Sequence, residues 1–232
     1  MTIKAVFFDV GNTLMNFNYQ AIANCIPDLH VAQLEEQGPA AWKALNNVLE
    51  KARIEGTHVD ILRCLLKELL QERGQPIIIE ELIEKIDTCS LWNKVNQYAR
   101  DAIAALKARE IVVAVISNSD GKLETFLNNH GWANKFEFVI DSGMVGVRKP
   151  NIEIFNIALK KARLEASQVL YVGDLPAVDV YGSKAAGLNP VLYDPYDQYD
   201  AHWRTCTATD RRAYHRITHM NQLTPLVNLL NG

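Results

Sequence analysis

Apolar and polar positions follow three rhythms along the chain. Ile3, Ala5, Val6, Phe7 and Phe8 make a short, nearly continuous apolar run that gives way at Asp9 to the turn-prone Gly11-Asn12-Thr13, the pattern of a strand buried on both faces. After Leu14 the period lengthens to that of a helix. Trp42, Leu45, Val48, Leu49 and Ala52 repeat at helical spacing, as do Leu62, Leu65, Leu66 and Leu69 after a candidate cap at Thr57. Gly38-Pro39, Gly56 and Gly74-Gln75-Pro76 punctuate this stretch into helix-sized segments. Further on, strands and helices alternate: a helix over 101–108, a strand over 111–116, a helix over 122–130 closed by Gly131, and a strand over 136–140. A helix over 152–162, a strand over 169–172, a helix over 177–186 ended by Gly187 and a strand over 190–193 follow. The polar segment 194–212 reads as a surface excursion, and 217–230 as a short strand and a closing helix.

This alternation predicts an α/β fold with a mainly parallel sheet covered on both faces, because each parallel connection needs a crossover. An all-helical insertion over 15–95 interrupts a core made of 1–14 and 96–232. In such sheets ligands bind at the carboxyl ends of the strands. Asp9, Ser117-Asn118 and Gly173-Asp174 each close a predicted strand, Asp179 stands near the start of the next helix, and Lys149 lies on the loop entering the 152–162 helix. The order of elements therefore predicts a shared site.

The residue types at these positions suit phosphoryl transfer. A carboxylate at Asp9, flanked by small or turn-tolerant residues at Gly11, Asn12 and Thr13 whose backbone can approach an anion, can attack phosphorus and form an acyl phosphate. Taken alone, Asp9 is better read as an ordinary strand-end aspartate capping a turn; its flanking residues shift the balance. Mg²⁺ prefers oxygen ligands and keeps several waters, so Asp9, Asp174 and a backbone carbonyl near Gly11 suffice to hold it, with Asp179 as a further ligand or an orienter. The plain alternative is that acids at a helix start complement its dipole. Lys149 would offset the carboxylates and hold a phosphate oxygen as a point charge, and Ser117 or Asn118 would add a neutral hydrogen bond.

Composition narrows the partners. The 232 residues, 48% hydrophobic and 22% charged, are enough for a substantial core. A formal net charge of -3 and a pI near 6.1 give no overall attraction to nucleic acid or to an anionic membrane. No apolar stretch approaches the roughly 18 residues of a membrane span, and the expected location is cytoplasmic. Cys25, Cys64, Cys89 and Cys206 have no paired spacing, and the six histidines no ligand spacing. The expected partner is a small phosphorylated molecule; nothing in the pattern specifies an oligomeric state.

The set Asp9-Val10-Gly11-Asn12-Thr13-Leu14, Ser117-Asn118, Lys149-Pro150 and Gly173-Asp174 through Asp179 resembles the four motifs of the haloacid dehalogenase superfamily, and the match spans most of the chain. The resemblance implies a Rossmann-like core with a small helical cap, Asp9 as nucleophile, Mg²⁺ on Asp9 and Asp174, and Ser117 and Lys149 around the transferred group. Phosphatases of that family usually carry a second aspartate two residues after the nucleophile as general acid; here that position is Gly11. General acid assistance is typically worth about 10²- to 10⁴-fold. The expected function is a Mg²⁺-dependent phosphatase-like hydrolase. The alternatives within the resemblance are a 2-haloacid dehalogenase, which typically works without Mg²⁺, a phosphonatase using a cap lysine (Lys43, Lys51 or Lys67 by location), and a non-catalytic ligand-binding member.

Overall fold

The computed structural model of the chain describes residues 2–71, 79–86, 88–199 and 214–232. The punctuation at Gly74-Gln75-Pro76 and most of the polar 194–212 segment lie outside the described residues. Two compact units are present, one formed by Met1–Asn16 and Val95–Gly232, the other by Phe17–Lys94.

In the first unit, β1 (Ala5–Phe8) stands at the centre of a six-stranded sheet whose pairings are all parallel. Two short strands, β2 (Met15–Asn16) and β3 (Lys94–Val95), form a separate two-stranded sheet. On one side β1 pairs with β4 (Val112–Ser117), which pairs with β5 (Val139–Asp141). On the other it pairs with β6 (Val169–Gly173), followed by β7 (Asn189–Tyr193) and β8 (His215–Ile217). The sheet thus grows in opposite directions from β1, and the crevice at such a switch point is where open α/β sheets bind ligands.

Burial explains the continuous apolar runs. Ala5, Phe7, Ala114, Ile116, Val169 and Tyr171 share a core cluster with Ile154, Phe155 and Ala158 of the helix Ile152–Ala162. The alternate residues Val6, Phe8, Val113, Val115, Leu170 and Val172 are buried as well, so each central strand is apolar at both parities. The helix Gln97–Lys107, capped by the Asn96 side chain, buries Ala99, Ala102, Ile103 and Leu106.

Several boundaries differ from the sequence expectation. The strand expected over 136–140 begins at Val139 and ends at Asp141, whose carboxylate caps the short helix Ser142–Val145. The 122–130 helix is an α-helix only over Leu123–Leu127, followed by a wider turn to Trp132 with Gly131 at φ 75°. The 177–186 helix starts as a wide turn over Pro176–Val180 before the α-helical Tyr181–Ala185.

In the second unit the helices are Tyr19–Ala23, Val31–Glu55, Ile61–Leu70 and Ile79–Lys85. Gly38-Pro39 does not separate two helices but lies inside the 25-residue Val31–Glu55. Gly38 is needed there for space, since a Cβ would sit 2.1 Å from Tyr19 Oη. Asp60 rather than Thr57 caps the following helix, accepting from Arg63 N–H at 3.0 Å. Phe17, Tyr19, Trp42 and Trp92 form an aromatic cluster, with Trp42 Nε1 donating to Tyr19 Oη at 3.2 Å. Among the described residues no helix is long and apolar enough to cross a membrane.

Candidate active site

Strand register sets the heights of the site residues. Phe8 lies opposite Val115 of β4 and Val172 of β6, so Asp9 falls one step short of Ser117 on one side and of Asp174 on the other. Asp9 N–H donates to Val172 O at 2.9 Å, which carries the sheet pairing one residue past β1. The chain then turns tightly: the N–H groups of Thr13, Leu14 and Met15 all donate to Val10 O, and Asn12 adopts φ 50°. Asn tolerates this left-handed backbone, and here it aims Asn12 Nδ2 at Asp174 Oδ2, 3.1 Å away.

Asp9, Asp174 and Asp179 offer carboxylate oxygens that all lie within 4.8 Å of one another, and all three residues are buried. Lys149, only 5% exposed, sits among them. Its Nζ donates to Asp9 Oδ1 at 2.6 Å, to Asp179 Oδ1 at 2.7 Å and to Tyr171 Oη at 2.8 Å. Asp179 also accepts from Leu175 N–H through Oδ2 at 3.0 Å. Ser117 Oγ is 3.4 Å from Asp9 Oδ1, a long contact. Gly173 makes room for this arrangement, because a Cβ there would lie 2.4 Å from Asp179 Cγ.

Three carboxylates face one ammonium, so the cluster is short of positive charge. Burial pushes the Asp9 carboxyl up to about 6; Lys149 pulls it down and Asp179 pushes it further up. Asp174 is raised well above the ordinary carboxylate range, first by burial and then by the charges of Asp9 and Asp179. Burial alone would discharge Lys149, but Asp179 and Asp9 outweigh it and hold the ammonium above its ordinary value. A hard divalent cation fits this donor set: oxygen ligands, close spacing and surplus negative charge. Asp9 and Asp174 are carboxylates that could hold one. Asp179, spent on Lys149 and Leu175 N–H, is better placed to orient the lysine than to ligate.

Of the residues expected at the phosphate, Gly11 lies in the turn after Asp9, bridged to Met15. The Thr13 hydroxyl is buried with no hydrogen-bond partner among the described residues, while Thr13 O accepts from Asn96 Nδ2 at 2.9 Å. Asn118 departs from the expectation. Its Nδ2 donates to Lys149 O at 3.0 Å and its Oδ1 accepts from Lys149 N–H at 2.8 Å, so the amide clamps the lysine backbone instead of facing a phosphate. Two contributions escaped the sequence reading, the Asn12 contact to Asp174 and the hydroxyl of Tyr171. The signal for the second was a tyrosine on an otherwise apolar strand. None of the described histidines belongs to the acidic cluster.

A parallel sheet with acids, a hydroxyl and a lysine gathered at its switch point is the arrangement of an α/β protein whose candidate site lies at the carboxyl ends of its strands. The haloacid dehalogenase-like hydrolase family matches residues 3–187, and the chain belongs to that family. The chain is 29% identical over 155 residues to haloacid dehalogenase-like hydrolase domain-containing protein 3 of Mus musculus, 67% of this chain and 60% of that protein. It therefore spans about 60% of the length of that relative. It is 26% identical over 240 residues to the glyceraldehyde 3-phosphate phosphatase of Pyrococcus furiosus, covering 99% and 95% of the two chains. Among solved structures, the HAD-hydrolase YfnB from Bacillus subtilis, bound to magnesium, superposes with a TM-score of 0.69 at 20% identity over 98% of this chain and 100% of that one, a likeness of fold.

Proposed function

We propose that the protein is a Mg²⁺-dependent phosphatase of a small phosphorylated metabolite, working through an aspartyl-phosphate on Asp9. The observation that carries this reading is the buried cluster in which Asp9, Asp174 and Asp179 meet Lys149 at the sheet's switch point. Asp9 supplies a carboxylate oxygen that attacks phosphorus while the bond to the leaving oxygen breaks. Lys149 holds its charge beside the attacking carboxylate, and Ser117 Oγ offers a hydroxyl at the same level. Water then attacks the acyl phosphate, releasing inorganic phosphate and restoring Asp9. When bound, Mg²⁺ would supply the charge compensation that one lysine cannot. Two relatives named as phosphatases support the reading, that of Pyrococcus furiosus and the ribulose-1,5-bisphosphate 5-phosphatase of Halopiger xanaduensis, 30% identical over 132 residues.

Gly11 leaves the leaving group without the usual acid, so we expect esters with good leaving groups to be cleaved far better than alkyl phosphates. The test is hydrolysis of p-nitrophenyl phosphate with Mg²⁺ by wild type and Asp9→Asn: turnover lost in the variant is expected, and equal turnover in both would reject the reading. The dehalogenase alternative is disfavoured by the retained carboxylate cluster. The phosphonatase alternative needs a lysine able to form an imine, and Lys43, Lys51 and Lys67 are all exposed on their helices.

A further inference from the structure

Tyr171 is buried on β6 in the cluster it shares with Phe7, Ile116, Ile154 and Phe155, an apolar layer that a phenylalanine ring would fill equally well. Its ring packs edge-on against Phe155 with centroids 5.1 Å apart. The hydroxyl is the polar atom it brings into that layer. The single proton of that hydroxyl lies between Ile116 O at 3.2 Å and Asp179 Oδ1 at 3.1 Å, and its oxygen accepts from Lys149 Nζ at 2.8 Å. A phenol with only a structural role would be satisfied by the Ile116 carbonyl. Here two of its three partners belong to the charged cluster.

An ammonium has three protons, and those of Lys149 go to Asp9, Asp179 and Tyr171. Rotation about the Cε–Nζ bond would break all three bonds together. We infer that Tyr171 is a positioning residue: its hydroxyl takes the third N–H of Lys149 and locks the ammonium, so that one N–H stays aimed at Asp9 Oδ1. The consequence for turnover rests on the phosphatase reading; the anchoring of Lys149 does not. Without the hydroxyl, one ammonium N–H loses its partner in an apolar layer and the charge is free to settle elsewhere among the carboxylates.

The test compares wild type with Tyr171→Phe by two readouts, the ¹H–¹⁵N spectrum of the lysine ammonium groups and the kinetics of p-nitrophenyl phosphate hydrolysis with Mg²⁺. Wild type is expected to give a slowly exchanging Lys149 cross-peak, assigned by its loss in Lys149→Arg. In Tyr171→Phe that peak should move or broaden away, and kcat should fall about tenfold to a hundredfold, with KM within about twofold, the loss of one hydrogen bond to a charged group. An unchanged cross-peak overturns the inference, and so does an unchanged kcat in a variant of an active enzyme. If Tyr171→Phe does not fold, wild type decides: a Lys149 ammonium in fast exchange with water, or rotating freely by ¹⁵N relaxation, overturns it. Wild type without phosphatase turnover would sink the proposed reaction alone, leaving the spectra to decide the anchoring.

Discussion

At the scale of single residues, the raised carboxyls of Asp9 and Asp174 dictate how the site responds to pH and metal. Both are higher in the folded protein than in the unfolded chain, so the folded state keeps protons that the unfolded chain has released. For Asp9 that contribution to stability is complete below the ordinary value of 3.8 and is lost as pH rises through about 6. Asp174 works in the same direction. A divalent cation competes with these same protons. We therefore expect Mg²⁺ to raise the melting temperature of the protein more at about pH 7.5 than at about pH 5. A shift equal at both pH values, read by thermal denaturation, would place the metal elsewhere. Gly173→Ala is a second residue-scale case: its new Cβ would collide with the Asp179 carboxyl. The expected cost is about 1–3 kcal/mol of stability by urea unfolding, with a loss of turnover exceeding what the unfolded fraction explains.

Among elements, the loops that follow the strands carry the site, and polar side chains tie them down. Asp141 at the end of β5 accepts from Gly121 and Gly143 N–H through Oδ1, at 3.1 and 2.9 Å, and from Leu123 N–H through Oδ2 at 3.0 Å. It thereby fastens the segment that follows Ser117 and Asn118. Asp141→Ala orphans these donors, with an expected destabilisation of about 2 kcal/mol or more in chemical denaturation. Asn118→Ala frees both backbone groups of Lys149; kcat should fall, and the fall should exceed that of the exposed-loop control Lys122→Ala. The tail of β7 is fixed in the same manner, with Asp194 accepting from Tyr199 and Gln198 N–H and from the Arg216 guanidinium. The ties of Asp141 to Gly121 and Leu123, of Asn118 to Lys149 and of Asp194 to Arg216 span 18 to 31 positions, whereas helix ends such as the left-handed Gly56 are local events visible in the sequence.

For the whole molecule, the decisive observable is dependence on a divalent ion. A chelator should abolish p-nitrophenyl phosphate hydrolysis and Mg²⁺ should restore it, whereas halide release from a 2-haloacid in the presence of chelator would assign the protein to the dehalogenase side of its family. The α/β class and the strand ends were legible because burial on both faces leaves a continuous apolar run, and the run stops where polar groups can reach solvent or ligand. Asp9, Ser117 and Asp174 could be placed at strand ends on that ground alone. What the sequence could not express is which side chain answers which. Lys149 meets Asp9 across 140 positions, Tyr171 across 22 and Asp179 across 30. Those pairings depend on the strand order around β1 and on the face from which each side chain approaches. Hence only the folded chain made Asn118 a clamp on the lysine backbone, turned Asp179 toward the ammonium and brought the Tyr171 hydroxyl beneath it. Local periodicity encodes solvent and neighbours a few residues away; it carries no information about a partner reached through a crossover.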